Sequence, residues 1–360
     1  MTEEAELNDR LSAVRRIVLC YPVEPRHVRQ MRSTLDRLVA DPTCPLQHEV
    51  EIVDAGQERI DECLPTADIF IGHAKVPVDW DRVLAAGRLQ WIQSSAAGLD
   101  HCLVEGVIAE PRIQVTSAAG LFSPQVAEQT FTLLFGLLRR IKWFEDARPD
   151  RRFVRLPTDD LRGKTVGIVG LGGNGRAISA MLAPWDLRMI ATDVYPVRRP
   201  AEVESLWPAD RLNELLNASD IVILTLPLNQ STRHRIGRDE LDQMRPDGYL
   251  INVARGPVVD EAALVQTLAA GRLQGVGLDV AEVEPLPPES PLWDDKRVLI
   301  TPHVGAQSSR RVDDTTDLVC ENLERCFRGL PLINRVDKTL GFPHPDVSWS
   351  AWQSSPESFA

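Results

Sequence analysis

A chain of 360 residues is longer than one ordinary hydrophobic core supports and suits two domains of common size. With 43% hydrophobic and 26% charged residues, and no apolar run near the about 18 residues a membrane span requires, the composition is that of a soluble globular protein. Forty basic against 52 acidic residues leave a net charge of −12, which repels phosphate backbones and anionic lipid, so neither nucleic acid nor a membrane is an expected partner.

The N-terminal "MTEEAELNDR" is acidic where a secretory signal needs a basic start and an apolar stretch, so export is not expected. Cys20, Cys44, Cys63, Cys102, Cys320 and Cys326 show no C-x-x-C spacing. They read as reduced thiols of a cytoplasmic protein, not as a disulfide framework or a zinc site, and no metal is expected.

From Arg16 to Thr116, short apolar runs alternate with helical patterns: "RIVLC", "VEIVDA", "ADIFIG", "LQWIQSS" and "IQVTS" are separated by stretches such as "PRHVRQMRSTLDRLVA". This rhythm predicts repeated β-α units on a parallel sheet. In "SPQVAEQTFTLLFGLLRRI", Ser123 is the expected N-cap and Pro124 the first helical residue. Apolar residues from Val126 to Leu138 cover this helix nearly all round, which predicts burial between domains or subunits.

The polar "EDARPDRRFVRLPTDD" reads as a surface excursion before a second β-α series. That series runs through "TVGIVG", "LRMIATD", "DIVILTLP", "GYLINVA", "GVGLDV" and "RVLITP", six candidate strands in a doubly wound arrangement. In the stretch after it, Val312, Val319, Leu323, Cys326 and Leu330 fall at helical spacing and predict one amphipathic helix. The Pro-, Ser- and Trp-containing end of the chain has no periodicity; Trp349 and Trp352 either dock on a neighbouring surface or belong to an untethered tail.

The second series opens with G-x-G-x-x-G at Gly170, Gly172 and Gly175, and Asp193 follows 18 residues after Gly175 at the end of "RMIATD". The glycines follow a strand and open a helix, the context that turns a weak motif into a dinucleotide fingerprint. Gly170 permits the tight turn, Gly172 lets backbone approach a pyrophosphate, and Gly175 allows close helix packing. The helix N-terminus offers N–H groups and positive potential to phosphates. Asp193 can accept bonds from both ribose hydroxyls and repels a 2′-phosphate, which favours NAD; Arg198 and Arg199 close behind it leave room for NADP. Asn174 stands where an aliphatic residue is usual, so a polar side chain faces either the cofactor or the helix–sheet contact.

Three later segments supply chemistry. Arg255, in "INVARGPVVDE", stands just past a hydrophobic strand, where a guanidinium suits capture of a carboxylate or carbonyl. Asp279 and Glu284, in "GLDVAEVEPLP", and His303, in "VLITPHVG", also sit at or just after predicted strand ends. Hydride exchange with a carbonyl needs a proton at the oxygen, histidine titrates near neutrality, and a neighbouring carboxylate holds its tautomer and favours its charged form.

With these motifs in this order, residues from Arg16 to Pro331 resemble the NAD-dependent D-isomer-specific 2-hydroxyacid dehydrogenases. "GIVGLGGNGR", the long run from "MRPDGYLINVARGPVVDE" to "GLDVAEVEPLP", and "ITPHVGAQS" carry the similarity. The resemblance implies two doubly wound parallel-sheet lobes of the α/β class, a Rossmann cofactor domain inserted into a flavodoxin-like substrate domain. The expected boundaries are 1–122 for the first part of the substrate domain, 123–305 for the cofactor domain, 306–336 for the return of the chain, and 337–360 for a tail. It implies that Arg255 binds and polarises a 2-oxo acid, that His303 is the acid/base with Glu284 as its partner, and that Asp279 contacts the nicotinamide carboxamide.

Gly173, Asn174 and Pro227 join the glycines and Asp193 in the expected NAD contacts. In the first lobe, "SSAAGLDH" resembles the loop whose amides around Ala97 and Gly98 hold the substrate carboxylate, and Lys75 lies in the neighbouring loop. The family also implies a homodimer joined through the cofactor domain. Its substrate is expected to be a small unphosphorylated 2-oxo acid, because Gly72-His73-Ala74-Lys75 lacks the arginines that a dianion favours. Rival readings are a phosphoglycerate dehydrogenase and an NAD(H)-sensing corepressor with the same Arg, Glu and His. Formate dehydrogenase would want an amide in place of Glu284. Ala281 replaces a commonly aromatic residue and widens the expected site.

Overall fold

The computed structural model describes residues 13–349, which form two compact units. The first contains the residues up to Leu121 together with those from Ser308 onward; the second, Phe122–Gln307, is inserted between them in sequence.

In the first unit, β1 (Arg16–Cys20), α1 (Pro25–Ala40), β2 (Glu51–Asp54), α2 (Ile60–Cys63), β3 (Ile69–Gly72), α3 (Trp80–Ala86), β4 (Trp91–Ser94), α4 (Glu105–Ala109) and β5 (Gln114–Thr116) follow one another. The strands are all parallel, in the order β2-β1-β3-β4-β5. This is the doubly wound order of the flavodoxin type. Fully buried strand residues such as Ile17, Phe70, Ile71 and Ile92 produce continuous apolar runs, as a sheet covered on both faces requires.

The second unit contains α5 (Ser123–Leu138), α6 (Ile141–Ala147), β6 (Thr165–Val169), α7 (Gly173–Leu182), β7 (Arg188–Asp193), β8 (Ser205–Pro208), α8 (Leu212–Ala218), β9 (Ile221–Leu224), α9 (Arg238–Gln243), β10 (Tyr249–Asn252), α10 (Glu261–Ala269), β11 (Gly275–Leu278) and β12 (Val298–Ile300). Its sheet has seven parallel strands in the order β12-β11-β10-β9-β6-β7-β8, one more than the six sequence candidates. The additional strand, β8, is "SLWP", a four-residue edge strand that pairs only with β7. Short, half-buried and ending in proline, it carries no alternating or continuous apolar signal. The strand order reverses between β6 and β9, and ligands of doubly wound sheets bind outside the carboxyl ends of strands at such a point.

Helix α5 lies on β10–β12, with Leu133, Leu134, Leu137 and Leu138 buried. Its approach explains two glycines of β11: a Cβ on Gly277 would lie 3.0 Å from that of Leu133, and one on Gly275 would lie 3.1 Å from Leu137. The helix is not covered all round. Pro124, Glu128 and Thr132 are exposed, and Phe131 and Phe135 stay half-exposed beside Trp185, whose ring lies 4.9 Å from that of Phe135. Ser123 is the first helical residue and not the N-cap, which is Phe122, and its hydroxyl donates to Asn174 Oδ1 at 2.8 Å.

The returning chain forms α11 (Arg311–Phe327), packed on α1. Val319, Leu323 and Phe327 enter one core with Met31, Leu35 and Leu38; each fully buried large side chain is worth about 1.5–3 kcal/mol. Leu330 lies beyond the helix, because Gly329 takes a left-handed φ of 68° and ends it. After it, β13 (Val336–Asp337) and β14 (Phe342–Pro343) pair as a small hairpin. Lys338 donates to the carbonyls of Val107, Glu110 and Ile113, and the Trp349 N–H donates to Asn334 Oδ1. The described part of the tail, to Trp349, is therefore tied to the first unit; Trp352 lies outside the described residues.

Candidate active site

The glycine loop between β6 and α7 has the backbone its three glycines were expected to need. Gly170 has φ of 95°, and a Cβ on Gly175 would sit 2.3 Å from the Gly170 carbonyl oxygen. Around the Cβ position of Gly172 there is nothing within 4 Å. That open cradle lies where the first N–H groups of α7 have no acceptor within the helix, and Gly173 is the first residue of that helix. A pyrophosphate fits these features: space at Gly172 and donors beside it. Thr225, just past β9, braces the loop by donating from Oγ1 to the Gly170 carbonyl at 2.5 Å; Pro227 follows and accepts from Thr232 Oγ1 at 2.7 Å.

Asn174 has turned away from any helix–sheet conflict: it accepts the Ser123 hydroxyl and so links the first turn of α7 to that of α5. Asp193, at the end of β7, accepts the Leu171 N–H at 2.6 Å and the Tyr195 N–H at 2.7 Å. Burial raises its pKa, against the pull of those two bonds and of the Arg176 charge. Arg176 itself donates to the carbonyls of Arg198 and Val197, at 2.6 and 3.0 Å, and Arg199 donates to Val203 O.

Arg255, Glu284 and His303 all follow carboxyl ends of strands in the second sheet, β10, β11 and β12. His303 Nδ1 donates to Glu284 Oε2 at 2.9 Å. Burial opposes ionisation of Glu284, but the His303 ring, the Ala281 N–H and the Arg255 charge outweigh it and hold the carboxyl below its ordinary pKa. The imidazole is aimed by its backbone, since His303 has a left-handed φ of 55°, a strained conformation of the kind that clusters at functional sites.

Asp279 supplies much of that aim. Its carboxylate is buried and accepts the Thr301 hydroxyl at 2.7 Å, the Val304 N–H at 3.0 Å and the Gly305 N–H at 2.8 Å, while its carbonyl accepts the His303 N–H at 2.7 Å. Sequence reasoning considered only a cofactor contact for this residue, yet both of its oxygens shape the loop that carries His303. Two further residues were missed. Asn252, buried at the end of β10, accepts the Ala254 N–H and donates to the Arg255 carbonyl, holding the arginine turn. Gln129, from α5, donates to Thr301 Oγ1 at 2.7 Å. A polar residue at a strand's carboxyl end was the available signal for Asn252; nothing in the local sequence links Gln129 to Thr301.

In the first unit, Gly72 pairs with Ser94, so the loops after β3 and β4 are neighbours. The first carries His73 and an exposed Lys75; the second carries Ala97 and Gly98, both accessible. Gly72 is obligatory, because its φ is 145° and a Cβ would meet the Cys20 carbonyl oxygen at 2.3 Å. The His73 ring stacks on that of His101, with centroids 4.0 Å apart, a pairing that sequence reasoning did not anticipate.

Residues 131–305 match the family model described as the D-isomer specific 2-hydroxyacid dehydrogenase, NAD binding domain. A glyoxylate reductase of Thermofilum pendens is 34% identical over 265 residues, 70% of this chain and 76% of that protein. The chain belongs to the D-isomer specific 2-hydroxyacid dehydrogenase family. Among solved structures, the family member from Xanthobacter autotrophicus Py2, in complex with NADPH and MES, superposes with a TM-score of 0.72 at 28% identity, covering 91% of this chain and 100% of that one. A D-3-phosphoglycerate dehydrogenase of Methanocaldococcus jannaschii is 31% identical over 78% of this chain, which spans 54% of that protein. The second unit is thus the NAD-binding domain of a family oxidoreductase, and its glycine loop and Asp193 lie within the matched residues.

Proposed function

We propose that the protein is an NAD-dependent reductase that interconverts a small unphosphorylated 2-oxo acid and its D-2-hydroxy acid. The 2.9 Å Glu284–His303 hydrogen bond, with the Arg255 charge acting on the same carboxylate, carries this reading. A bound nicotinamide cofactor exchanges the hydride. Arg255 orients and polarises the 2-oxo group through its planar fork, and His303 delivers the proton to the carbonyl oxygen in reduction and takes it back in oxidation. Glu284 holds the ring and stabilises its charged form. Asp279, besides shaping the His303 loop, offers a remaining lone pair to the carboxamide, and the Ala97 and Gly98 amides hold the substrate carboxylate, with Lys75 as an auxiliary cation.

NAD is preferred in this reading because the Asp193 carboxylate would face an added 2′-phosphate with like charge. NADPH in the Xanthobacter relative and Arg198 in the adjoining loop favour the other cofactor. Fluorescence titration decides: NADH is expected to bind at least about tenfold tighter than NADPH, and Asp193→Ala to erode that ratio. Equal affinities in the unmodified protein would exclude the assignment.

The substrate rests on Gly72-His73-Ala74-Lys75. Ala74 is buried and no arginine stands in this turn to meet a dianion. Glyoxylate and hydroxypyruvate are expected to exceed 3-phosphohydroxypyruvate in kcat/KM by about tenfold or more. The reverse order would make the protein a phosphoglycerate dehydrogenase, the activity named for the Methanocaldococcus relative.

The reading places the enzyme in the cytoplasm, where its six cysteines, all thiols, stay reduced. It also makes it a homodimer through the NAD-binding unit, for which the half-exposed Phe131, Phe135 and Trp185 supply apolar surface.

A further inference from the structure

The arginine turn and the Glu284 loop are tied together by a residue outside both. His234 lies in the turn that follows β9, and its N–H donates to the Pro257 carbonyl at 2.7 Å, two residues past Arg255. Its ring Nε2 donates to Glu282 Oε1 at 2.6 Å, two residues before Glu284. Glu282 is held a second time: its Oε2 accepts the Glu261 N–H, and its own N–H donates to Glu261 Oε2, both at 3.1 Å. The Ile236 N–H reaches the Val258 carbonyl at 3.0 Å and extends the same seam. Where the two backbones meet there is no slack, since a Cβ on Gly256 would fall 1.7 Å from the Ala281 carbonyl oxygen.

We propose that His234, Glu282 and Glu261 form a positioning clamp that sets the spacing between Arg255 and Glu284, and through Glu284 the orientation and charge of His303. The inference rests on the catalytic roles proposed above. Two observations favour a functional clamp over ordinary loop packing. His234 is held at both ends, its backbone N–H on the Pro257 carbonyl and its ring on Glu282, with a left-handed φ of 51°. The imidazole–carboxylate pair is also part-exposed, at 42% and 27%, so it adds little as a surface ion pair to overall stability. Its geometric consequence is larger, because it joins the turn that carries the substrate-orienting Arg255 to the loop that carries Glu284 of the proton relay. A shift of the Glu284 loop by well below 1 Å lengthens its 2.9 Å hydrogen bond to His303 past the useful range.

The test uses Glu282→Gln and His234→Asn in the full chain; asparagine tolerates the left-handed backbone and removes the ring. Glyoxylate reduction is followed against pH, NADH affinity by fluorescence, melting by calorimetry, and the His303 ring signal by NMR titration of the cofactor-free protein, assigned through His303→Gln. Expected are a fall of about tenfold in kcat, NADH affinity within about twofold, and a His303 titration moved to lower pH in the same direction as in Glu284→Gln. The double variant Glu282→Gln/Glu284→Gln should cost less than the product of the two single effects, because both act through one carboxylate. An unmoved His303 titration in folded single variants overturns the clamp, as does a multiplicative double variant. So does a loss of activity that merely parallels a lower melting temperature. Should the unmodified protein reduce no 2-oxo acid, the proposed function falls while the NMR titration still judges the clamp.

Discussion

Replacing His303 with alanine is expected to cost about 10²-fold or more in turnover in both directions, with NADH affinity preserved. The loop that carries His303 is held by the Val304 and Gly305 N–H groups and the Thr301 hydroxyl on the Asp279 carboxylate, none of which involves the imidazole. Glu284→Gln separates the charge from the geometry, because an amide oxygen can still accept the 2.9 Å bond from Nδ1. Reduction needs the imidazolium and oxidation the neutral ring, so the reduction rate falls and the oxidation rate rises as pH climbs. Removing the anionic neighbour disfavours the imidazolium, so both limbs are expected to move to lower pH.

The acid side has a sign of its own. The pKa of Glu284 is lowered in the folded protein, with burial opposing and His303, Ala281 N–H and Arg255 prevailing. The favourable coupling is therefore complete above the ordinary glutamate pKa and is lost only as pH falls through the lower folded value. Reduction that is lost, as pH falls, at or above the ordinary glutamate range, or pH profiles unmoved in Glu284→Gln, would remove this residue from the relay.

Arg255→Lys should reduce kcat/KM for a 2-oxo acid by about 10- to 100-fold, the worth of one or two hydrogen bonds to a charged group. Lysine keeps the charge but not the planar fork. The turn should survive, because Asn252 holds it by the Ala254 N–H and the Arg255 carbonyl, besides the bond that the guanidinium donates to the Ala254 carbonyl at 2.7 Å. The loss is expected in both KM and kcat, since an arginine that polarises the carbonyl acts on the transition state as well as on binding. Steady-state kinetics beside an NADH titration check this. A collapse of NADH binding would assign Arg255 to the cofactor or to the fold.

Much of this architecture is legible in one dimension because it depends on local requirements. The runs at β1, β3, β9 and β10 are continuously apolar since each strand is covered on both faces, and Gly170, Gly172 and Gly175 stand where a left-handed turn, an open cradle and a close helix contact demand them. Arg255, Glu284 and His303 announce themselves by following strand ends of one sheet. Edge strand β8 was illegible because pairing on one side alone imposes no apolar run, and Leu330 was drawn into a helix that Gly329 terminates.

Other features depend on partners remote in sequence, which no local pattern encodes. Asn174 is satisfied by Ser123, 51 positions away, and the tail is held by carbonyls more than two hundred positions earlier. His234 meets Glu282 across 48 positions. The short-range sequence specifies which chemical groups stand at strand ends, since periodicity and glycine sterics act within a few residues. Which of those groups a carboxylate such as Asp279 or Glu282 reaches is decided by the packing of loops from different strands, because a hydrogen bond is made only where folding brings donor and acceptor to within about 3 Å.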